Sequence, residues 1–457
     1  MSLDKVLAHV DADQDNALAR LIELLKIESI STDPAYAAEC NRAADWLVDD
    51  LKSIGFDASK RETPRHPMVI AHNDATDGTH VMFYGHYDVQ PVDPLELWEN
   101  PPFDARVEDT PNGKVIRGRG SSDDKGQLMT FVEACRAWKE VTGSLPTNVS
   151  IFFEGEEESG SPSLVPFMKE NAAELKSDVA LICDTGMVEP NTPSIVTMLR
   201  GLVGEQITIK GPSKDLHSGM YGGPSINPIR VLTQALGALH DDNGRVTLEG
   251  FYDGVPELPA QIAEQWKNLD FDEARFLGDV GLSKPAGENG RSVLEMLWSR
   301  PTAEVNGIWG GYTGEGFKTV LPAEASAKVS FRLVGQQDPV KVRDAFRAHV
   351  ESFLPEDCSV EFHGHGNSGA SGMAIDHPAF EQARGALSDE WDNEGVFVGC
   401  GGSIPIAGHF QKIIGTESML IGFAQDDDSI HSPNEKYDLR SFHKGIRSWV
   451  RILAALN

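Results

Sequence analysis

Side chains able to hold metal ions or move protons gather in this chain where short apolar runs stop. The run 81–84 leads into His86 and Asp88, and the run 149–153 into Glu154, Glu156, Glu157 and Glu158. The run 179–183 ends at Asp184, and the run 419–424 is followed by Asp426, Asp427, Asp428 and then His431. A lone His-x-Asp carries little meaning, because a histidine beside an aspartate is most often a surface residue or a satisfied core residue. Four such endings together carry more. Oxygen and nitrogen ligands without thiolate suit a pair of zinc, manganese or cobalt ions with one carboxylate bridging them, an arrangement built for hydrolysis.

The acidic run Glu154-Gly155-Glu156-Glu157-Glu158 has a plainer reading as a solvated turn. Two adjacent glutamates behind a buried strand can instead divide labour, one holding a metal and its neighbour acting as general base and then proton donor.

These residues need elements that bring them together. Short apolar runs without alternation suit strands covered on both faces, as in a parallel sheet. In open α/β sheets, ligands sit at the carboxyl ends of the strands. The glycine-rich segment Gly118-Arg119-Gly120-Ser121-Ser122-Asp123-Asp124-Lys125-Gly126 leads into a helix predicted over about 127–140. Its glycines let a loop press close to a ligand, with Asp123 or Asp124 pointing inward.

Helical spacing predicts helices over 16–27 and 36–54, with Gly55 as a C-cap. Strands are expected at 68–71 and 81–84, and the order of elements indicates a wound α/β domain. Near residue 199 the character changes. Ala325, Ala327, Val329, Phe331 and Leu333 alternate with Ser326, Lys328, Ser330 and Arg332, the pattern of a half-exposed antiparallel strand. Asp338 followed by Pro339 marks a helix start. The glycine-rich stretch 364–372 reads as a linker, with His363 and His365 placed in it or beside it, after which the first style returns through a final helix at 439–456. The expected architecture is α/β: a catalytic domain (1–202 and 374–457) with a mostly parallel central sheet flanked by helices, and an inserted smaller α+β lid and dimerisation domain (203–373).

A chain of 457 residues with 40% hydrophobic content can build two cores. Its formal net charge of -30 opposes nucleic acid and anionic membrane as partners. No apolar segment approaches the roughly 18 residues of a membrane helix, and the start Met1-Ser2-Leu3-Asp4-Lys5 lacks a signal pattern, so a cytoplasmic protein is expected. Five scattered cysteines indicate neither a disulfide framework nor a zinc finger.

The strings GHYDVQP, GRGSSDDKG, EGEEESGS, ICD, DLHSGMYGG, KTVLP, FRLV, GGSIP and HSPNEK occur in this order between about residues 80 and 440. In that order they resemble the di-metal aminoacylase/carboxypeptidase superfamily of metallopeptidases, nearest its carnosinase and cytosolic non-specific dipeptidase branch. The resemblance implies two divalent ions, zinc above manganese or cobalt, with His86 and Glu158 on opposite sides, Asp123 bridging, and Asp184 and His431 completing the set. It implies Glu157 as general base, Asp88 as the carboxylate orienting His86, and a cis peptide after Asp123.

It further implies that His217 reaches from one subunit's lid into the partner's active site to polarise the scissile carbonyl, and hence a homodimer. Arg332 and Ser403 would bind the substrate's free carboxylate. Similar dipeptidases carry an arginine before the glycine pair at 401–402, where this chain has Gly399-Cys400. The implied activity is hydrolysis of dipeptides by a di-metal-activated water. N-acyl-amino-acid deacylation, carboxypeptidase action and a non-catalytic metal-binding role are the alternatives. The remaining histidines, among them His72, His80, His240, His377 and His409, are read as structural.

Overall fold

The computed structural model describes residues 2–73, 78–373, 375, 377–402 and 404–457; Ser403 lies outside the described residues. The chain divides into two compact units, one of Met1–Thr197, Met373–Val398 and Ile406–Asn457, the other of Met198–Gly372 and Gly399–Pro405.

In the first unit a sheet runs in the order Asp57–Arg61, Met68–Asn73, Asn148–Glu154, His80–His86, Val179–Ile182, Glu417–Leu420 and Ser194–Leu199. Its four central strands are parallel, while pairing toward both flanks is antiparallel. Strands His80–His86 and Asn148–Glu154 are buried at every residue but the first, and Val179–Ile182 throughout. Such strands cannot alternate, because each face meets other protein.

The helix Lys125–Thr142 is buried along residues 125–138. Phe131 on this helix stacks on Phe83 of the central strand at 3.8 Å. Trp449, from the terminal helix Leu439–Ala455, meets Phe83, Phe131 and Phe423 edge-on at 5.6, 5.4 and 6.0 Å. Its indole N–H donates to Thr130 Oγ1 at 3.0 Å, so the burial leaves no polar orphan.

The second unit holds a four-stranded antiparallel sheet, ordered Thr302–Gly310, Glu324–Leu333, Gly201–Lys210 and Ser359–Ser368. Helices Pro228–Gly237 and Pro339–Ser352 pack on it. Ala325, Ala327, Val329, Phe331 and Leu333 are all buried in this unit's core, while Lys328 is exposed. The Asp338 side chain accepts the Val340 and Lys341 amides and so starts the second helix. On the sheet, buried Glu205 is ion-paired with Arg343 at 3.0 Å and Arg347 at 2.8 Å.

The stretch 364–372 is not simply a linker. Residues through Ser368 continue an edge strand, with His363 opposite Gln206 and His365 opposite Gly204. Glycine lowers strand propensity, but backbone pairing to Gly201–Lys210 outweighs that here. The register slips between His365 and Ser368, where Gly366 takes φ +62°. Among the described residues no helix is long and apolar enough to cross a membrane.

Removing the aromatic keystone should loosen the helix pair that backs the glycine loop. Trp449→Ala is expected to lower unfolding free energy by about 3–5 kcal/mol, and Trp449→Phe by clearly less, in denaturant titrations.

Candidate metal centre

His86 is the last residue of its strand, and Asp184 follows the strand Val179–Ile182 by two residues. Glu157 and Glu158 open a one-turn helix three residues after the strand Asn148–Glu154. His431 lies in the loop beyond Glu417–Leu420 at φ +61°. Asp123 ends the glycine loop, and its peptide to Asp124 is cis. A close fit shapes this loop: a Cβ at Gly126 would stand 1.8 Å from the Ser121 carbonyl oxygen, so only glycine is tolerated there.

These side chains form two groups with one shared member. His86, Asp123 and Asp184 present ligand atoms within 4.8 Å of one another, as do Asp123, Glu158 and His431. One Asp123 oxygen is 3.1 Å from His86 Nε2, and the other 2.9 Å from His431 Nε2, which is also 3.3 Å from Glu158 Oε2.

Two observations test whether this set fits a pair of cations. His86 Nε2 is buried and makes no hydrogen bond despite its proximity to Asp123, the relation of two ligands aimed at a common third atom. Without a metal the cluster also pulls protons onto its imidazoles. Hydrogen bonds to Asp123 and Glu158 push His431 up to about 10. Burial opposes charging His86, but Asp123 and Asp88 outweigh it and raise its pKa. Divalent ions would supply the same positive charge without protons. The residues fit.

Around the set, other carboxylates hold backbone rather than ions. Asp88 accepts the Glu157 amide at 3.2 Å and the Glu158 amide at 3.0 Å, with its Oδ1 3.4 Å from His86 Nδ1. The side chain thus holds both glutamate amides, while His86 Nδ1 hydrogen-bonds the Asp88 backbone carbonyl at 3.1 Å, so one residue orients the imidazole and the turn. Asp124 accepts the His86 amide at 3.0 Å, which turns it away from the cluster that Asp123 enters.

Glu435, fully buried, takes the amides of Gly120, Ser122 and Asp123 at 3.1, 2.9 and 3.0 Å and the Arg119 guanidinium at 2.7 Å. Asp428 accepts Ser122 Oγ at 2.7 Å and Lys436 Nζ at 2.9 Å. Buried Lys125 donates to the Ile27 carbonyl at 2.6 Å, tying the helix start to the N-terminal segment.

The acidic run separates by role. Glu154 accepts Tyr84 and Ser161 hydroxyls at 2.8 and 2.6 Å, and Glu156 accepts the His66 and Ser163 amides at 2.8 and 2.9 Å. Both are fully buried, so the turn is not a solvated one. Glu158 accepts Gln90 Nε2 at 2.6 Å. Glu157 makes no ion pair or side-chain hydrogen bond among the described residues, and burial, with Asp88 and Glu158 nearby, raises it to about 7. Asp426 and Asp427 stand outside both groups.

His217 and Arg332 belong to the second unit. The exposed His217 ring accepts the Gly219 amide on Nδ1 at 3.0 Å, so the neutral ring carries its proton on Nε2. The Arg332 backbone lies in the sheet opposite Thr302 and Leu202, and its side chain makes no hydrogen bond or ion pair among the described residues. Asp428, named from sequence among the acids after the run 419–424, supports the glycine loop instead of joining either ligand group. Gln90 and Glu435 stand within the GHYDVQP and HSPNEK strings but are assigned no role from sequence, because their partners Glu158 and 119–123 lie far away in the chain.

Residues 82–455 match Peptidase family M20/M25/M40. The chain is 31% identical to the Cys-Gly metallodipeptidase dug1 of Schizosaccharomyces pombe, covering 100% of this chain and 99% of that one. Human carnosine dipeptidase 1 superposes with a TM-score of 0.79 at 26% identity, over 100% and 99% of the two chains. The M20 family metallo-carboxypeptidase Sso-CP2 of Sulfolobus solfataricus gives 0.81 at 30% identity, over 96% and 99%. With a ligand set suited to paired cations at the sheet's carboxyl edge and a family match over most of its length, the chain belongs to Peptidase family M20/M25/M40 and is a metal-dependent peptidase.

Proposed function

We propose that the protein is a cytoplasmic dipeptidase that uses two zinc ions and acts as a homodimer. The observation that carries this reading is the sharing of Asp123 between two ligand groups, with Glu157 beside them and free of other work. His86 and Asp184 would hold one ion, Glu158 and His431 the other, and Asp123 both. Two ions so held would supply Lewis acidity for a scissile carbonyl and for a water that loses a proton near neutral pH.

The rest falls to side chains of this chain. Glu157, lifted toward neutrality by burial, accepts a proton from the attacking water and returns it to the leaving amine. Asp88 keeps Glu157 and Glu158 in register through its carboxylate and His86 through its backbone carbonyl. His217, donating from Nε2, would stabilise the developing oxyanion in the partner's site. Arg332, without a partner of its own, and Ser403 would take the substrate's free carboxylate.

The dipeptidases among the similar proteins favour a two-residue substrate over an N-acyl amino acid or a longer peptide. The five cysteines form no disulfide among the described residues, which suits a reducing compartment. Dimerisation is supported by the edge strand Thr302–Gly310, which exposes Val305, Ile308 and Trp309, with Phe317 beyond it 92% exposed. An open apolar strand edge calls for cover, and a second copy gives it.

Three measurements check this reading. Glu157→Gln should lower kcat by about 10²–10⁴-fold while atomic emission still finds two metals per chain; near-normal turnover would remove Glu157 from its role. His217→Ala should lose about 10²–10³-fold in kcat with metal content unchanged. Metal-reconstituted protein should release amino acids from unblocked dipeptides and leave N-acetyl amino acids intact, whereas the opposite selectivity would make it a deacylase.

A further inference from the structure

The second unit contains a cavity of about 430 Å³ whose lining includes both Arg200 and Arg332. That volume lies within the roughly 300–1,000 Å³ of small-molecule sites. The same lining includes Leu277, Val293, Met296 and Leu297, an apolar wall.

The two guanidiniums are under-compensated. The Arg332 side chain has no hydrogen bond or ion pair among the described residues, and Glu304, the one carboxylate in the lining, is ion-paired with neither arginine. Arg200 donates Nε to the Gly401 carbonyl at 3.1 Å and Nη1 to the Met296 carbonyl at 3.3 Å, which leaves Nη2 without a partner among the described residues. Its backbone amide reaches the Cys400 and Gly402 carbonyls at 3.4 and 3.2 Å. The Arg200 head is therefore held in place by carbonyls while one donor edge stays open. Like charges in one cavity repel, and an anion between them removes that cost.

We infer that this cavity binds a carboxylate through Arg200 together with Arg332 and that its apolar wall selects an uncharged, branched or aromatic side chain on the same residue. The inference rests on the dipeptidase reading and deepens it: the preferred substrate is a dipeptide with an apolar carboxyl-terminal residue. Arg200 is a specificity residue, and it supplies a cation next to the 399–402 loop, where the chain has Gly399-Cys400. A lysine or arginine side chain at that residue would meet two guanidiniums, and a glycine would leave the wall unfilled.

The test uses the full metal-loaded enzyme and 4-methylpentanoate, the leucine skeleton without its metal-binding amine, titrated calorimetrically. The acid should bind at least tenfold more tightly than either its amide or acetate, and Arg200→Gln should weaken it at least tenfold with metal content unchanged, Arg200→Lys less so. In turnover, kcat/KM for Ala-Leu should exceed that for Ala-Gly and Ala-Lys at least tenfold, and Arg200→Gln should act mainly on KM. Equal binding of acid and amide, equal use of Ala-Gly and Ala-Leu, or a wild-type response from Arg200→Gln would each overturn the inference. The wild-type ligand series stands by itself if the variant misfolds. Binding of the acid without any dipeptide cleavage would instead count against the dipeptidase reading alone.

Discussion

Everything in the first unit answers to one electrostatic constraint: several carboxylates share a small buried volume. Two like charges 4 Å apart cost about 4 kcal/mol even at an effective dielectric of 20. Strands and loops that converge bring Asp123 within 4.8 Å of Asp184 and, in the second group, of Glu158, and bound cations would discharge the repulsion. Burial heightens both terms, since a site that excludes water makes repulsion dearer and a bound ion more effective.

Holding that arrangement takes a frame of neutralised acids. Glu435 collects three amides and a guanidinium and thereby sets the backbone that carries Asp123. Asp88 does the same for Glu157 and Glu158. Glu154 and Glu156 anchor the turn from below through hydroxyls and amides. Carboxylates so satisfied are rigid, so reactive ones can be placed without depending on the ion alone. The aromatic cluster of Phe83, Phe131 and Trp449 backs the strand that carries His86 and the helix that follows Asp123.

Much of this was legible in the residues. Unalternating apolar runs that stop at His86, Asp184 and the glutamates mark strand tips, and the alternating stretch 325–333 marks a half-buried strand. Three things were hidden. The labour within the acidic run depends on a tight turn that gives Glu154 and Glu156 to hydroxyls and amides and the consecutive Glu157 and Glu158 to the cluster, and composition does not encode it. Glu435 works on residues more than 300 positions earlier, beyond any local signal. Glycines around His363 and His365 mimic a linker, because pairing with Gly201–Lys210 supplies order that propensity does not.

The central claim is that Asp123 serves two ions at once, and metal stoichiometry tests it most directly. After equilibrium dialysis against zinc, the wild-type chain should retain two ions, Glu158→Gln should keep one tightly, and Asp123→Asn should bind neither with wild-type affinity. Two tightly held ions in Asp123→Asn would contradict the account.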